Sequence, residues 1–376
     1  MHSNELAGLR EKINQLDSQL IDLLARRREA SNEVIKTKNK DGLPIRDLNR
    51  EEEILKNLII EGKKKGLDAF FVTNIFNEII EDSVRLQQKF VLTDAVDNSK
   101  SQPLKIAIQG IIGSYSSLAA RKFFSRDFDN FIFSGKNTFE EVVRTVEKGG
   151  ADYAMLPVEN TTSGSINEVY DALMHTSLSI IGEEIFQVKH CLVANEKIAL
   201  SKIKRIYAHP QAAAQCSVFL RSIPDVQIEF FTDTAMSARK IKEEGDNESA
   251  AIASLEAAQT YGVEVIKENI ANQESNFTRF LIASRKPVSV DSRVPCKTSI
   301  VMAINQTPGS LLEALGILGS LGINMTKLES RPVIGNPWEE LFYLDIEGNI
   351  EDEKIKDALE QLGNKARYFK VLGSYP

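Results

Sequence analysis

The chain has 376 residues, enough for two or three domains, and 42% of them are hydrophobic, so each domain can bury a core. A net charge of −7 argues against a phosphate-backbone footprint and so against nucleic acid as a partner. No apolar run approaches the ~20 residues of a membrane span, and no basic-then-apolar leader opens the sequence. Cys191, Cys216 and Cys296 are odd in number and lack metal-type spacing, so reduced thiols in a cytoplasmic protein are expected, with no metal site.

Residues 1–92 carry helical periodicity. Leu6, Leu9, Ile13, Leu16, Leu20 and Leu23 step by three and four, as in a coiled-coil seam. Arg27 takes the next seam position, ahead of Ala30 and Val34, and a cation there is costly unless an anion pairs with it. Asp41-Gly42-Leu43-Pro44 ends this long first helix. A second helix is predicted over Arg46–Glu61, with Leu48, Leu55 and Ile59 inward, then a basic turn over Gly62–Gly66. A third is predicted over Asp68–Leu92, with Ile75, Ile79, Leu86 and Phe90 inward. Ser83 and Gln87 share the stripe of Ile79, so a polar pocket inside a helical bundle is expected. Arg10 lies ~25 Å from Arg27 along one straight helix, whereas Lys38 follows Arg27 by about three turns and shares its face. If Arg10 serves the same pocket it must come from a second chain, which predicts an intertwined helical dimer.

This constellation resembles the all-helical chorismate mutases over the whole segment. Arg10, Arg27, Lys38, Asp47, Arg50, Glu51, Ser83 and Gln87 fall on that family's pocket positions. The resemblance implies that Arg27, with Arg10 of a partner chain, binds the carboxylates of chorismate. Lys38 and Gln87 would donate to the ether oxygen, and Asp47, Glu51 and Ser83 would hold the hydroxyl end, with Arg50 beside them. A [3,3] rearrangement needs only a compact conformer and stabilisation of the charge growing on the breaking C–O oxygen.

Thr93–Pro103 reads as a linker. Short apolar strands and helices then alternate: a strand at Ile106–Ile108, helices at Ser114–Phe124 and Phe139–Lys148, a strand at Ala151–Val158 and a helix at Ile166–His175. Strands follow near Leu178–Val188, Cys191–Ala194, Ile206–Ala208, Ile228–Phe231, Ala250–Ala253 and Arg279–Ala283. That order predicts an α/β domain with largely parallel sheet, and the long middle crossing predicts two lobes with a cleft. Ala151 to Gly164 reads as strand, hydroxyl- and amide-rich turn, then helix start, where free backbone N–H groups favour an anion.

With Asn276-Phe277-Thr278-Arg279-Phe280 downstream, this turn resembles the prephenate dehydratase family over roughly residues 104–285. Gly113-Ser114-Tyr115-Ser116, Glu159-Asn160-Thr161, Ser163-Gly164, His209-Pro210-Gln211 and Gln215 belong to the same match. The resemblance implies that Thr278 assists departure of the hydroxyl, with Glu159, Asn160, Thr161, Ser163 and Gln215 lining the pocket. Because a threonine hydroxyl is a poor acid near pH 7, Thr278 is read as a hydrogen-bond donor to the leaving oxygen. Arg279 is the natural carboxylate clamp, or equally a structural ion pair. His190 is read as a hydrogen-bonded structural histidine. Two positions depart from the family's pattern. Gly110 is followed by Ile111-Ile112-Gly113 where relatives have Gly-Pro-x-Gly, and Ala208 replaces a Ser or Thr before His209.

Arg285–Lys297 is a second linker. Residues 297–376 read strand, helix, strand, strand, helix, strand, the ferredoxin-like split motif. Gly309-Ser310-Leu311-Leu312 opens its first helix and Glu329-Ser330-Arg331-Pro332 closes its second strand. With Asn336 to Glu340, these resemble the ACT regulatory domain of dehydratases, which implies a phenylalanine site where the two stretches meet across a dimer interface.

The combined expectation is a multidomain chain: an all-α mutase domain (1–92), a two-lobed α/β dehydratase domain (104–285) and an α+β regulatory domain (297–376). It would turn chorismate into prephenate and prephenate into phenylpyruvate without a cofactor, as a homodimer or larger homo-oligomer inhibited by phenylalanine. Two alternatives stand beside it. One is an active mutase whose dehydratase is impaired by Ile111, Ile112 and Ala208; the other is a non-catalytic amino-acid sensor.

Overall fold

A computed structural model defines residues 2–41, 48–92, 103–125, 130–288, 290–291, 294–333 and 339–376. The chain divides into two compact units, Met1–Asn98 with Ser289–Pro295, and Ser99–Val288 with Cys296–Pro376.

The first unit holds α1 (His2–Asp41), α2 (Leu48–Lys64) and α3 (Ala69–Leu92). α3 packs on both other helices. Among the described residues of these helices only Ile35, Val72, Ile80 and Val84 are buried apolar side chains, so the core they make is very small. The seam of α1 is left open: Leu9, Ile13, Leu16, Leu20 and Leu23 each keep more than half of their surface exposed. Ile75, expected inward, is 41% exposed, because the buried stripe of α3 runs through Val72, Ile80 and Val84 instead. The expected basic turn begins later than Gly62, since α2 continues through Lys64.

The second unit runs β1 (Leu104–Gln109), α4 (Tyr115–Phe124), β2 (Phe131–Lys136), α5 (Phe139–Glu147), β3 (Tyr153–Asn160), β4 (Gly164–Ser165), α6 (Asn167–His175) and β5 (Ser179–Gln187). There follow β6 (Cys191–Ala194), β7 (Arg205–Ala208), α7 (Pro210–Gln215), α8 (Ser217–Leu220), β8 (Gln227–Phe230), α9 (Thr234–Glu244), β9 (Ser249–Ala253), α10 (Leu255–Tyr261), β10 (Glu264–Lys267) and β11 (Phe277–Ser284). The last part is β12 (Lys297–Ile304), α11 (Ser310–Ser320), β13 (Met325–Pro332), β14 (Glu340–Glu347), α12 (Glu353–Lys365) and β15 (Ala366–Tyr375).

Residues 104–284 form two sheets, ordered β2-β1-β3-β11-β5, with β4 on β3, and β10-β6-β9-β7-β8. The chain crosses between them twice, through Val188–His190 and through 268–276, which makes two lobes. The sheets are mixed rather than largely parallel. β1 runs parallel to β2 and β3, but β11 is antiparallel to β3 and β5. In the second lobe β7 is parallel to β8 and β9, while β6 runs antiparallel to β9 and β10 to β6. Returning strands after each crossover impose the reversal, and hydrophobic periodicity is blind to strand direction.

The C-terminal sheet, ordered β13-β14-β12-β15, has the expected βαββαβ connectivity. Its helices cover one face, burying Ile300, Met302, Leu344 and Ile346. The other face buries Val301, Ala303, Leu341 and Tyr343 against Leu156, Val169, Tyr170 and Leu173 of the first lobe. Covered on both faces, β12 reads as an unbroken apolar run from Ile300 to Ile304. β15 also presses on β5: a Cβ at Gly373 would stand 2.1 Å from the Ile180 carbonyl oxygen, so only glycine fits there. Cys191, Cys216 and Cys296 are buried free thiols. Among the described residues no helix is long and apolar enough to cross a membrane.

Candidate active site

In the helical unit Arg27 and Ser83 are brought together. Arg27 Nη1 donates to Ser83 Oγ at 2.6 Å and to the Ile79 carbonyl at 3.4 Å, and Ser83 in turn donates to that carbonyl. The seam cation is therefore held by α3 at the edge of the small core. Lys38 is half-buried on the same helix, while Arg10 stands exposed far along α1. Arg50 pairs at the surface with Glu53 at 2.7 Å, and Glu51 is half-buried. Asp47 and the Gln87 side chain lie outside the described residues.

Asn160, Ser163, Gln215 and Thr278 meet between the lobes. Asn160 ends β3, and its Oδ1 accepts the backbone N–H groups of Thr162 (3.0 Å) and Ser163 (3.1 Å), which closes the turn. Register places Thr278 opposite Asn160 and Arg279 opposite Glu159. Strand faces alternate, so Asn160 and Thr278 share one face and Glu159 and Arg279 the other. Asn160 Nδ2 donates to Thr278 Oγ1 at 2.9 Å and to Asn276 Oδ1 at 2.7 Å. The Thr278 oxygen accepts in that bond, so its own hydrogen is left for another oxygen.

From the second lobe, Gln215 at the end of α7 donates to Thr162 Oγ1 (2.6 Å), Ser163 Oγ (2.9 Å) and Asn160 Oδ1 (3.2 Å). Asn276 Nδ2 donates to its Oε1 at 3.1 Å. Asn160, Ser163, Gln215 and Thr278 thus form one cluster of amides and hydroxyls. Thr161 stands outside it, its hydroxyl taking the Phe277 N–H at 2.9 Å to close β3 on β11. Sequence reasoning gave no role to Thr162 or Asn276. For Asn276 the signal was its place beside Thr278.

Glu159 and Arg279 face the C-terminal sheet instead. Arg279 pairs with Glu183 at 2.7 Å and Asp345 at 2.6 Å, and donates to the Tyr375 hydroxyl at 3.0 Å. Ser299 donates to the other oxygen of Asp345, and Lys297 pairs with Glu183. Of the two roles read for Arg279, the structural ion pair is the one formed. Glu159 pairs with Lys327 at 3.2 Å, and Lys327 also reaches Glu329 and Ser165.

The turn that departs from the family's pattern joins the lobes. Gly110 has φ +86°, and a Cβ there would stand 2.1 Å from Asp233 Oδ2. Ile111 donates its N–H to that carboxylate at 3.0 Å, a bond that a proline in this position has no hydrogen to make. The Ile112 carbonyl accepts from the Tyr261 hydroxyl at 2.6 Å. Burial pushes the Asp233 carboxyl pKa up, against the N–H bonds from Ala235 and Ile111 that lower it. Ala208 is buried in the apolar cluster of the second lobe with Ile206 and Ala212.

In the C-terminal domain, α11 starts at the left-handed Gly309 (φ +90°), with Thr307 and Ser310 hydroxyls 2.5 Å apart. Leu311 is half-buried and Leu312 exposed. Along β13 exposure alternates: Ser330 and Pro332 face out, whereas Glu329 and Arg331 face inward. Glu329 accepts from Ser165 Oγ at 2.5 Å, and Arg331 forms a two-point pair with Asp171 at 3.0 and 3.1 Å. Their side chains are thus engaged with the dehydratase lobe rather than turned outward.

Three family models match in order: chorismate mutase type II over residues 9–88, prephenate dehydratase over 106–288 and the ACT domain over 298–364. The bifunctional chorismate mutase/prephenate dehydratase of Escherichia coli (strain K12) is 46% identical over 373 residues, covering 99% of this chain and 96% of that one. The chain belongs to the bifunctional chorismate mutase/prephenate dehydratases. Among solved structures, the prephenate dehydratase from Arthrobacter aurescens in complex with L-Phe is 28% identical, with a TM-score of 0.65, covering 72% of this chain and 90% of that one. A structure described as GqqA, a novel type of quorum quenching acylase, is 34% identical, with a TM-score of 0.64, covering 72% and 97%. Both catalytic domains and the ACT domain thus lie in one chain.

Proposed function

We propose that this chain converts chorismate to prephenate in its helical unit and prephenate to phenylpyruvate between the two lobes, with phenylalanine as feedback inhibitor. The observation that carries the second reaction is the Asn160–Thr278 pair across β3 and β11, completed by Gln215 from the other lobe. Prephenate loses carbon dioxide as its ring hydroxyl leaves, and the electron pair of the breaking C–C bond makes the ring aromatic. Thr278, its oxygen already accepting from Asn160, donates a hydrogen bond to the departing oxygen, which leaves as hydroxide, while the amides and hydroxyls of Asn160, Ser163 and Gln215 orient the substrate. Amide hydrolysis of the acylase kind is the weaker reading, because an activated hydroxyl nucleophile needs an adjacent base and Thr278 has the Asn160 amide beside it.

Arg27, Lys38 and Ser83, with Asp47, Arg50, Glu51 and Gln87, are proposed to hold chorismate, with Arg10 supplied by a second copy. The exposed leucine seam of α1 and the small core of one chain support a homodimer intertwined along that helix. Phenylalanine is proposed to bind at Gly309–Leu312 and the outward side of Ser330 and Pro332. Glu329 and Arg331 hold the strand to the dehydratase lobe. The location proposed is the cytoplasm, and no cofactor is required.

Feeding purified protein with chorismate, and following chorismate loss and phenylpyruvate formation with and without phenylalanine, tests this. Phenylpyruvate that falls when phenylalanine is added is the expected result. Accumulating prephenate would leave only the mutase, and unchanged chorismate would leave neither enzyme.

A further inference from the structure

We infer that His190 is a positioning residue for the dehydratase reaction, acting through Gln215; this rests on the prephenate dehydratase assignment above. His190 is 2% exposed and sits on the crossover segment between the lobes, just before β6. Its Nε2 lies 2.8 Å from Gln215 Oε1 and its Nδ1 3.1 Å from the Tyr115 hydroxyl.

The direction of each bond follows from backbone groups whose polarity is fixed. Thr162 and Ser163 N–H groups donate to Asn160 Oδ1, and the Phe277 carbonyl accepts from Asn160 Nδ2. Asn160 therefore has one orientation. The Gln215 atom 3.2 Å from Asn160 Oδ1 must then be the donor Nε2, which turns Oε1 toward His190. An oxygen there requires hydrogen on His190 Nε2. In the neutral ring Nδ1 is then bare and faces the Tyr115 hydroxyl, whose single hydrogen is shared with the Lys189 carbonyl at 2.7 Å. Burial lowers the His190 pKa, which favours this neutral ring.

The consequence is chemical. While His190 holds Oε1 back, Gln215 presents N–H to Thr162, Ser163 and Asn160, the groups that meet an anionic substrate. Without that donor only Asn276 restrains Oε1. The amide can then turn its carbonyl oxygen toward the carboxylates of prephenate, where it repels instead of donating. Neither His190 nor Tyr115 touches the reacting atoms in this scheme.

The test is a double-mutant cycle on kcat/KM for phenylpyruvate formation, with mutase activity and thermal midpoint as folding controls. His190→Met should lose at least about tenfold, His190→Gln, which retains an N–H donor, should recover most of it, and in a Gln215→Met background His190→Met should cost less than about twofold more. Losses that multiply in the double variant, no rescue by glutamine, or an unimpaired His190→Met would each overturn the inference. An unsubstituted chain that makes no phenylpyruvate would overturn the dehydratase assignment itself, a result distinct from all of these.

Discussion

Asp345→Asn is the sharpest probe of the tie between β11 and the C-terminal sheet. The substitution keeps the shape of the side chain and removes its charge. In the native protein Asp345 takes Arg279 Nη1 at 2.6 Å and Ser299 Oγ at 2.5 Å, with the Arg279 and Asp345 side chains 14% and 11% exposed. Removing the whole partner of a buried ion pair costs about 3–5 kcal/mol. Arg279 keeps Glu183 at 2.7 Å, and the asparagine oxygen still accepts one bond, so the loss is smaller. About 2 kcal/mol is expected, or roughly 3–4 °C in the unfolding midpoint of a unit this large. Differential scanning calorimetry reads the midpoint, and a phenylpyruvate assay over a phenylalanine series reads inhibition. Because Arg279 neighbours Thr278 on β11, the phenylalanine needed for half inhibition should also rise, by about fivefold or more. Chorismate consumption should stay unchanged. An unshifted midpoint with unaltered inhibition would refute the reasoning, since the bond would then carry neither stability nor coupling.

Gln87→Leu should lower mutase turnover far more than chorismate binding in steady-state assays, and equal losses would remove Gln87 from the ether-oxygen role. Asp233→Ala removes the N-cap of α9 and the bond to Ile111, so urea unfolding at pH 7 should show a loss of about 1–2 kcal/mol. The pH trend has a definite sign: with its native pKa raised by burial, Asp233 contributes most stability below its unfolded value of about 4 and loses it as pH rises through the native value. Asp233→Asn should flatten that part of the stability–pH curve, and an identical curve for both proteins would contradict it. Leu16→Lys with Leu20→Lys should convert the protein to monomers in analytical ultracentrifugation and abolish mutase activity, whereas dimers that persist would rule out the α1 seam as the interface.

Much of this fold is written locally. The step of three and four in α1, the strand–turn–helix at Ala151–Ile166 and the βαββαβ order after residue 297 all follow from periodicity and turn chemistry. α9 and α10 are equally local: Asp233 and Ser254 cap their starts and left-handed Gly245 and Gly262 close their ends. Other features depend on partners distant in sequence. Thr278 and Arg279 are adjacent polar residues on a strand packed on both faces, and only the regulatory sheet behind β11 decides that one serves the cleft and the other Asp345. Glu329 and Arg331 likewise look like ligand contacts until Ser165 and Asp171 are seen to take them. The His190–Gln215 bond joins residues from two lobes, and no spacing rule anticipates it.

The most direct measurement follows both products in Thr278→Val fed with chorismate. Chorismate should disappear at the unsubstituted rate while prephenate accumulates and phenylpyruvate formation falls by at least about a hundredfold. Phenylpyruvate appearing at the unsubstituted rate would contradict the placement of the dehydratase reaction at the Asn160–Thr278 pair.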